Sequence, residues 1–381
     1  GCESPTKSIV DRVDYSNDTA TALVRGPLSV ARYILVATGN NSFGYFAGGY
    51  PGPRSTVDRI DYSNDTATAA AKGPLNDSKN ALAATGNQNF GYFGGGNTGS
   101  RVSTVDRIDY TNDTATASPK GPLSLGRSVL VATGNQSFGY FGGGHDGNYP
   151  GFISTVDRVD YSNDTATAVA KGPLSGSKRY MGATGNSFGY FAGGGLNSNN
   201  NNVSIVDRID YSNDTSTASP KGPLTYVVRK LSASSAAANG LPETTLFPAS
   251  TVRENVAPQG TDFGYFGGGQ HPNSPVSTVD RIDYSNDTAT AAAKGPLSLA
   301  VGGQGTTGNA SFCYSGGGIN PSQSPSSLST VDRIDYSNDT ATAVAKGPLS
   351  VARYGAGATG NTSFGYFGGG APGPKSTVDR V

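Results

Sequence analysis

Short runs of apolar and β-branched residues alternate with turn residues along the chain, and the stretch 78–123 shows this pattern once. The segment 81–84 is small and apolar, and the segment 90–93 is aromatic. The segment 103–110 alternates β-branched with charged residues, and 114–117 consists of Thr and Ala. Gly, Asn, Asp and Pro separate these segments, as they separate short β-strands. The pattern therefore predicts four strands, which we name a, b, c and d in chain order.

Successive side chains of a strand point to opposite faces of its sheet. In strand b, Tyr92 and Phe93 therefore lie on different faces, so each sheet can offer aromatic rings to both of its neighbours. In strand c, Arg59 and Asp61 share one face and Ile60 takes the other. We expect Arg59 to pair with Asp61 along the strand, and we expect a core divided among the interfaces between sheets.

The hexapeptide Val-Asp-Arg-(Ile/Val)-Asp-Tyr recurs at intervals of about 50 residues, a period typical of propeller blades. Full copies begin at Val10, Val57, Val105, Val156, Val206, Val279 and Val331, and a truncated copy begins at Val378. A four-stranded unit cannot bury both faces of its sheet alone, whereas copies arranged in a ring can. The sequence predicts an all-β protein, a single seven-bladed β-propeller of four-stranded antiparallel blades over residues 1–381, with strand a nearest the axis.

Each unit resembles the kelch repeat, in which a Tyr-containing strand leads into a Gly doublet, an Asp-containing turn and a basic residue before the next blade. The doublets are Gly48-Gly49, Gly95-Gly96, Gly143-Gly144, Gly193-Gly194, Gly268-Gly269, Gly317-Gly318 and Gly369-Gly370. The basic residue matches Arg32, Lys79, Arg127, Lys178, Arg229 and Arg353, while the sixth unit has Val301 there. The aromatic residues that the kelch pattern has at the positions of Ile60 and Ala67 are absent. The resemblance implies the propeller fold, and propellers of this kind serve many unrelated functions.

The repeat consensus also resembles repeats in structural and tail-fibre-like proteins of marine bacteriophages. The matching stretches are Phe-Gly-Tyr-Phe-Gly-Gly-Gly and Ser-Thr-Val-Asp-Arg-Ile-Asp-Tyr-Ser-Asn-Asp-Thr. This resemblance implies a role at a virion surface.

The chain contains strand c once more than seven blades need. We expect the N-terminal strands c and d, residues 8–24, to complete the blade begun by 351–370, and the C-terminal copy competes for that place. The alternative is that the sequence is a window of a longer repeat array.

The charges balance, with 28 Lys plus Arg against 28 Asp plus Glu. A chain without net charge has no field that attracts nucleic acid or an anionic membrane, so we expect neither nucleic-acid binding nor membrane insertion. The histidines His145 and His271 fall in loops of different blades, and no Cys/His spacing suggests a metal site. No nucleophile elbow or phosphate-binding loop occurs, and we expect no cofactor and no enzymatic activity. A weaker alternative is a calcium site at Asp61, Ser63 and Asp65, whose spacing resembles the start of a Ca²⁺ loop but lacks its Gly and distal Glu.

The loops between strands b and c differ most among the units, and we expect them to form the binding surface on one face of the ring. The candidate residues are Tyr50, Arg54, His145, Asp146, Tyr149, Phe152, Asn197, Gln270, His271 and Asn320. Tyr149, Phe152 and His145 are the expected anchors because exposed aromatic rings contribute strongly to recognition. Drift of unconstrained loops explains the variation equally well.

The interval between Val206 and Val279 is the longest, and we assign the extra residues 236–261 to an insertion between strands a and b of the fifth blade. Its apolar residues Leu241, Leu246, Phe247 and Val252 suit contact with another subunit or with the ring itself.

These features favour a non-catalytic interaction or structural protein of a virion surface, a tail or another extracellular assembly, which binds partner proteins or a receptor. The alternative is a secreted lectin or adhesin that binds glycans on the variable-loop face. Either function places the protein on a virion, outside the cell or at the cell surface.

Overall fold

The computed structural model describes residues 7–16, 19–148, 151–185, 188–196, 201–235, 263–271, 274–286, 288–371 and 379–380. It confirms the predicted fold, because seven antiparallel sheets form a ring. Strands a are β3 (Val36–Gly39), β7 (Ala83–Gly86), β11 (Val131–Gly134), β15 (Gly182–Gly185), β19 (Ser232–Ser235), β25 (Gly305–Gly308) and β29 (Gly357–Gly360). Strands b are β4 (Phe43–Ala47), β8 (Phe90–Gly94), β12 (Phe138–Gly142), β16 (Phe188–Ala192), β20 (Phe263–Gly267), β26 (Phe312–Gly316) and β30 (Phe364–Gly368).

Strands c are β5 (Val57–Asp61), β9 (Val105–Asp109), β13 (Val156–Asp160), β17 (Val206–Asp210), β23 (Val279–Asp283), β27 (Val331–Asp335) and β1 (Val10–Asp14). Strands d are β6 (Ala70–Ala71), β10 (Ser118–Lys120), β14 (Val169–Ala170), β18 (Ser219–Lys221), β24 (Ala292–Lys294), β28 (Val344–Lys346) and β2 (Leu23–Val24). We number the blades 1 to 7 in this order, so that blade 1 begins with β3 and blade 7 with β29. The strands β21 (Gln270–His271) and β22 (Ser274–Pro275) form a hairpin in the b–c loop of blade 5. Within the described residues, no helix is long and apolar enough to span a membrane.

The N-terminal strand β1 pairs antiparallel with β30, with Arg12 opposite Tyr366. Residues from the start of the chain thus supply the third strand of blade 7, which joins the two ends of the chain. A last short strand, β31 (Asp379–Arg380), pairs in parallel with both β1 and β2 at the outer part of the same sheet.

All four strands of blade 2 differ in their bounds from the sequence prediction, and strands a and d differ most. Strand d of blade 2 is Ser118–Lys120 rather than 114–117, and Pro119 lies inside it. A proline fits there because strand d is the outer edge of the blade and its nitrogen needs no partner. Strand a of blade 2 begins at Ala83 rather than Ala81, because Ala81 has a φ of 51° and cannot extend the strand.

Tyrosine rings hold neighbouring blades together at every interface of the ring. The ring of Tyr45 on strand b of blade 1 stacks on Tyr110 of blade 2, with centroids 4.6 Å apart. Phe93 joins the same buried cluster from blade 2, so strand b does supply rings to both sides of its sheet. The equivalent stacked pairs are Tyr92–Tyr161, Tyr140–Tyr211, Tyr190–Tyr284, Tyr265–Tyr336, Tyr15–Tyr314 and Tyr62–Tyr366. Each such pair contributes about 1 kcal/mol beyond the burial of its area.

In blades 1, 2, 3, 4 and 6, where the structure describes it, the aspartate of the Asn-Asp-Thr turn connects the blade to the preceding one. Asp113 of blade 2 accepts ion pairs from Arg59 (2.8 Å) and Lys72 (3.1 Å) of blade 1, and the hydroxyl of Tyr45 donates to it at 2.8 Å. The guanidinium of Arg59 also lies 4.2 Å from the centre of the Phe43 ring. The predicted pairing of Arg59 with Asp61 is therefore wrong, because the arginine reaches outward to the next blade.

A second set of ion pairs lies inside the blades and is fully buried. Arg32 pairs with Asp58 of its own blade at 2.8 Å, and Arg127 pairs with Asp157 at 3.0 Å. The other members are Lys79–Asp106, Lys178–Asp207 and Arg353–Asp11.

In blade 5 the position of this basic residue is taken by Val228, not by Arg229 as the sequence alignment predicted. The amide of Val228 donates to the carbonyl of Val203, as the amide of Arg127 donates to that of Val102. In blade 6, Val301 holds the same place. Among the described residues, no cation therefore pairs with the buried carboxyl groups of Asp280 and Asp332, and burial raises the pKa of both.

Candidate functional site: a basin at the mouth of the central channel

Strands a line a narrow channel along the axis of the ring. Its wall consists of Ala-Thr-Gly segments such as 37–39 and 84–86, and the described part encloses about 180 Å³. The hydroxyl groups nearest the axis are engaged, since Thr359 lies 3.3 Å from the Tyr62 hydroxyl and Thr85 lies 3.4 Å from that of Tyr161. The channel is thus a packed structural feature with little room for a ligand.

The channel opens into a wider basin on the face that carries the d–a and b–c loops. The basin has a volume of about 850 Å³, within the range of pockets that enclose small ligands. Its floor is a ring of left-handed residues, one from each blade, with φ between 51° and 69°: Ile34, Ala81, Val129, Tyr180, Lys230, Gly303 and Gly355.

Backbone hydrogen bonds link the residues of this ring from blade to blade. The amide of Val129 donates to the carbonyl of Ala81 at 2.9 Å, and the amide of Lys230 donates to that of Tyr180 at 2.8 Å. The same bond joins Gly355 to Gly303 at 2.9 Å. Because the backbone alone forms these links, the side chain at each position can vary without loss of the ring.

A left-handed conformation is unfavourable for β-branched residues, and Ile34 and Val129 adopt it here. Such strain persists only where the surroundings fix the backbone, and it concentrates at binding and catalytic sites. The strained backbone of this ring therefore makes the basin the candidate binding site of the molecule.

The basin is asymmetric in charge. On the side of blades 2 to 5 it is lined by Arg101, Arg179 and Lys230, and none of the described lining residues is acidic. The guanidinium of Arg179 lies 5.0 Å from the ring centre of Tyr180, and the Lys230 ammonium lies 5.6 Å from it. Burial and the charges of Arg229 and Arg179 lower the pKa of Lys230. The side of blades 6, 7 and 1 is mostly apolar or aromatic, with Ile319, Pro321, Tyr354, Tyr33 and Ile34.

His145 and Phe152, two of the predicted anchors, form the rim of the basin beside its cationic side. Their rings meet edge to face at 5.4 Å, and Arg179 lies 4.8 Å from the centre of Phe152. The amide of Gly147 donates to Nδ1 of His145 at 2.9 Å. Partial burial, together with the charges of Arg179 and Arg101, lowers the pKa of His145 against the opposing influence of Asp146.

The other predicted binding residues lie in three kinds of place: in the basin, at its rim, or in loops where they have structural contacts. Gln270 lines the basin, while His271 packs edge to face on Tyr226 at 6.3 Å. Tyr50 is exposed at the outer rim and packs against Tyr33 at 5.3 Å. Asp146 accepts hydrogen bonds from the Asn148 amide and side chain and so shapes its own loop.

Two further candidates have structural contacts of their own. Arg54 pairs through its backbone with Lys79 and does not line the basin. Asn320 is buried, and its side chain donates to the Ala300 carbonyl and accepts from the Ser322 amide. Tyr149, Asn197 and the insertion residues Leu241, Leu246, Phe247 and Val252 lie outside the described residues.

The residues proposed for calcium do not direct their oxygens to one point. Asp61 accepts from the amide and hydroxyl of Ser63, which is the hydrogen bonding of a turn cap. The carboxylate of Asp65 points into the preceding interface, where it pairs with Arg12 at 2.7 Å and Arg25 at 3.1 Å. Among the residues that the structure describes, no cluster of three or more His, Cys, Asp or Glu side chains could hold a metal ion.

Sequence reasoning missed all seven residues on the basin floor. It searched the b–c loops, whereas Ile34, Tyr180 and Lys230 belong to the d–a loops. The sequence contained a signal for these residues. A large apolar residue recurs at the start of strand a, and the residue directly before it differs from unit to unit, as it does before Leu35, Leu82, Leu130, Met181 and Leu231.

Comparison with known proteins adds to the fold but not to the site. No family model matches the chain, and no curated protein matches it. One solved structure that matches, described as "Structure of YjhT", is 11% identical, covers 85% of this chain and 99% of its own, and superposes with a TM-score of 0.60. At this identity the likeness shows the fold alone.

Proposed function

We propose that this chain is a non-catalytic binding propeller, which holds a ligand in the basin and works in a virion surface, a tail or another extracellular assembly that binds partner proteins or a receptor. The observation that carries the proposal is the contrast between the repeated and the varied residues. The residues that join the blades recur at interface after interface, whereas the side chains on the basin floor differ from blade to blade. A ligand without sevenfold symmetry needs such an uneven surface.

The virion or tail location is supported by the resemblance of the repeat consensus to phage structural proteins. The last residue of β19, Ser235, lies towards the face opposite the basin, and the insertion 236–261 follows it in the sequence. Contact with a neighbouring subunit there would leave the basin open to a receptor, and a higher-order assembly would then present many basins.

The second candidate is a lectin or adhesin that binds glycans in the same basin. Tyr33, Tyr180 and Tyr354 offer rings, and Asn80, Asn97 and Gln270 offer amide groups. Rings beside hydrogen-bonding amides suit the apolar faces and hydroxyl groups of sugars.

A comparison of variants on the two faces tests both candidates. We expect Tyr180→Gly to weaken binding of the purified chain to a glycan array or to receptor-bearing cells. The fold should tolerate this change, since glycine holds the same place in blades 6 and 7. Asn64→Ala, in the exposed c–d turn at the opposite face, is the matched control.

Loss of binding in Asn64→Ala with normal binding in Tyr180→Gly would contradict the basin as the binding site. Electron microscopy of native particles with an antibody to this chain separates the two candidates. Label on an ordered particle supports the assembly component, and label on free single rings supports the lectin.

A further inference from the structure

The cations of the basin differ from the cations that hold the blades together. Arg32, Lys72 and Arg127 lie 2.8, 3.1 and 3.0 Å from a carboxylate oxygen. Arg101, Arg179 and Lys230 have no such ion pair to any residue that the structure describes. The carboxylate of Asp146, which acts on His145 at the rim, accepts hydrogen bonds from Asn148.

These cations also raise each other's electrostatic energy. The charges of Arg179 and Arg229 act on Lys230, and the charges of Arg179 and Arg101 act on His145. Repulsion of like charges in a partly dehydrated recess is unfavourable until an anion enters. The cluster is therefore complementary to a ligand of opposite charge.

The scaffold fixes this cluster before any ligand arrives. Lys230 and Tyr180 are held by the hydrogen-bonded backbone ring, and Arg179 packs against the rings of Tyr180 and Phe152. A preorganised guanidinium can donate two parallel hydrogen bonds to a carboxylate or a phosphate. Less entropy is lost on binding when the donors are already in place.

We propose that the basin binds a small organic anion, whose charged group lies among Arg101, Arg179 and Lys230 and whose body rests on Tyr33, Ile34 and Tyr354. The proposal rests on the binding function proposed above and names the chemical class of its ligand. A volume of about 850 Å³ admits a body of one to a few rings beside the charged group.

Three probes of one shape and different charge test the inference: glucuronate, glucose 6-phosphate and glucose. We expect calorimetry to show binding of at least one of the two anions and an affinity at least about tenfold weaker for glucose, since hydrogen bonds between charged groups are the stronger ones. Binding of glucuronate alone identifies a carboxylate ligand, and binding of glucose 6-phosphate alone identifies a phosphate ligand. Added salt should weaken the binding of either anion.

Variants that use residues from the equivalent positions of other blades should keep the fold intact. Lys230→Gly copies blade 6, and Arg179→Asn copies Asn80 of blade 2. Each should weaken anion binding about tenfold. Arg54→Gln removes the same charge outside the basin and should leave the affinity unchanged.

The two histidines provide a second readout. A bound anion opposes the charges of Arg179 and Arg101, so it should raise the pKa of His145 in an NMR titration, with His271 as the internal reference. Equal binding of glucose and the anions at the basin would overturn the anion inference and leave the binding function intact. The anion inference would also be overturned if no probe changed the pKa of His145, or if both basin variants bound the anions as tightly as the wild type does. The receptor and glycan experiments decide the binding function separately.

Discussion

Arg59 of blade 1 forms an ion pair with Asp113 of blade 2, with 2.8 Å between Nη1 and Oδ2. The turn that carries Asp113 is therefore an interface element rather than a solvent loop. The same relationship recurs between Arg107 and Asp164 and between Arg158 and Asp214. The repeated charges of the sequence thus hold the ring together.

Asp113→Asn should destabilise the interface between blades 1 and 2. The variant leaves Arg59 and Lys72 without their counter-charge at a largely buried interface. We expect the free energy of unfolding to fall by about 2–3 kcal/mol. The effect is limited to this size because Arg59 keeps some contact with solvent. Urea unfolding measures the change. Asp109→Asn, at the end of β9 where Asp109 accepts a hydrogen bond from the following turn, should lower the stability by less than about 1 kcal/mol. Equal effects of the two variants would show that the interface pair contributes little.

Gly73→Ala should destabilise the ring through backbone contact. The Lys-Gly-Pro-Leu segment of blade 1 runs so close to blade 2 that a Cβ at Gly73 would lie 1.6 Å from the Ala115 carbonyl oxygen. We expect the free energy of unfolding to fall by more than about 3 kcal/mol, or the chain to fail to fold. The contact joins two backbones, so rotation of a side chain cannot relieve it. The control is Gly176→Ala, whose Cβ would meet nothing within 4 Å. A soluble Gly73→Ala variant with unchanged thermal stability would contradict the interface.

Gly355→Ala measures how much the left-handed backbone conformation of the basin ring lowers stability when the residue is not glycine. A Cβ at Gly355 meets nothing within 4 Å, as at Gly176, but Gly355 has a φ of 63°. We expect a loss of about 1 kcal/mol from the backbone conformation alone. Thermal unfolding of Gly355→Ala beside Gly176→Ala measures the difference. Identical stability of the two variants would mean that the ring does not impose this conformation in solution.

Asp332→Asn should leave the stability at pH 7 unchanged or raise it by up to about 1 kcal/mol, because Asp332 is buried without a cation. Asp157→Asn should cost about 3 kcal/mol or more, because it leaves Arg127 buried and unpaired. Chemical unfolding of both variants at pH 7 provides the comparison. Equal losses of stability would show that the charge of Asp332 is stabilised as well as that of Asp157, beyond the hydrogen bond from the Ser298 amide.

The pH dependence of the Asp332 variant has a defined sign. Burial raises the pKa of Asp332, so the folded wild type binds more protons than the unfolded chain between the unfolded pKa, about 3.9, and the raised folded value. The stability of the wild type relative to Asp332→Asn is highest below pH of about 3.9 and falls as the pH rises through the folded pKa. Unfolding curves from pH 4 to pH 8 should show this divergence, and a divergence of opposite sign would contradict the raised pKa.

The face of the sheet on which a side chain lies was predictable from one repeat, and the partner that a charged side chain meets was not. Alternation placed Tyr92 and Phe93 on opposite faces of strand b, and both rings pack as expected. The partner of Arg59 could not be read from strand c, because Asp61 and Asp113 are equally repeated in the sequence and only the ring brings Asp113 near. The choice between Val228 and Arg229 likewise depended on the register of the loop against Val203.

The sequence by itself determined the number of blades, their four strands and the face on which variable loops lie, because period and alternation are local properties of the chain. The tertiary structure alone decided that seven separate d–a loops, from Ile34 to Gly355, meet around one basin. Residues so far apart in sequence become neighbours only when the ring closes. The cationic side of the basin arises in the same way, since Arg101, Arg179 and Lys230 come from three loops whose charges have no local pattern.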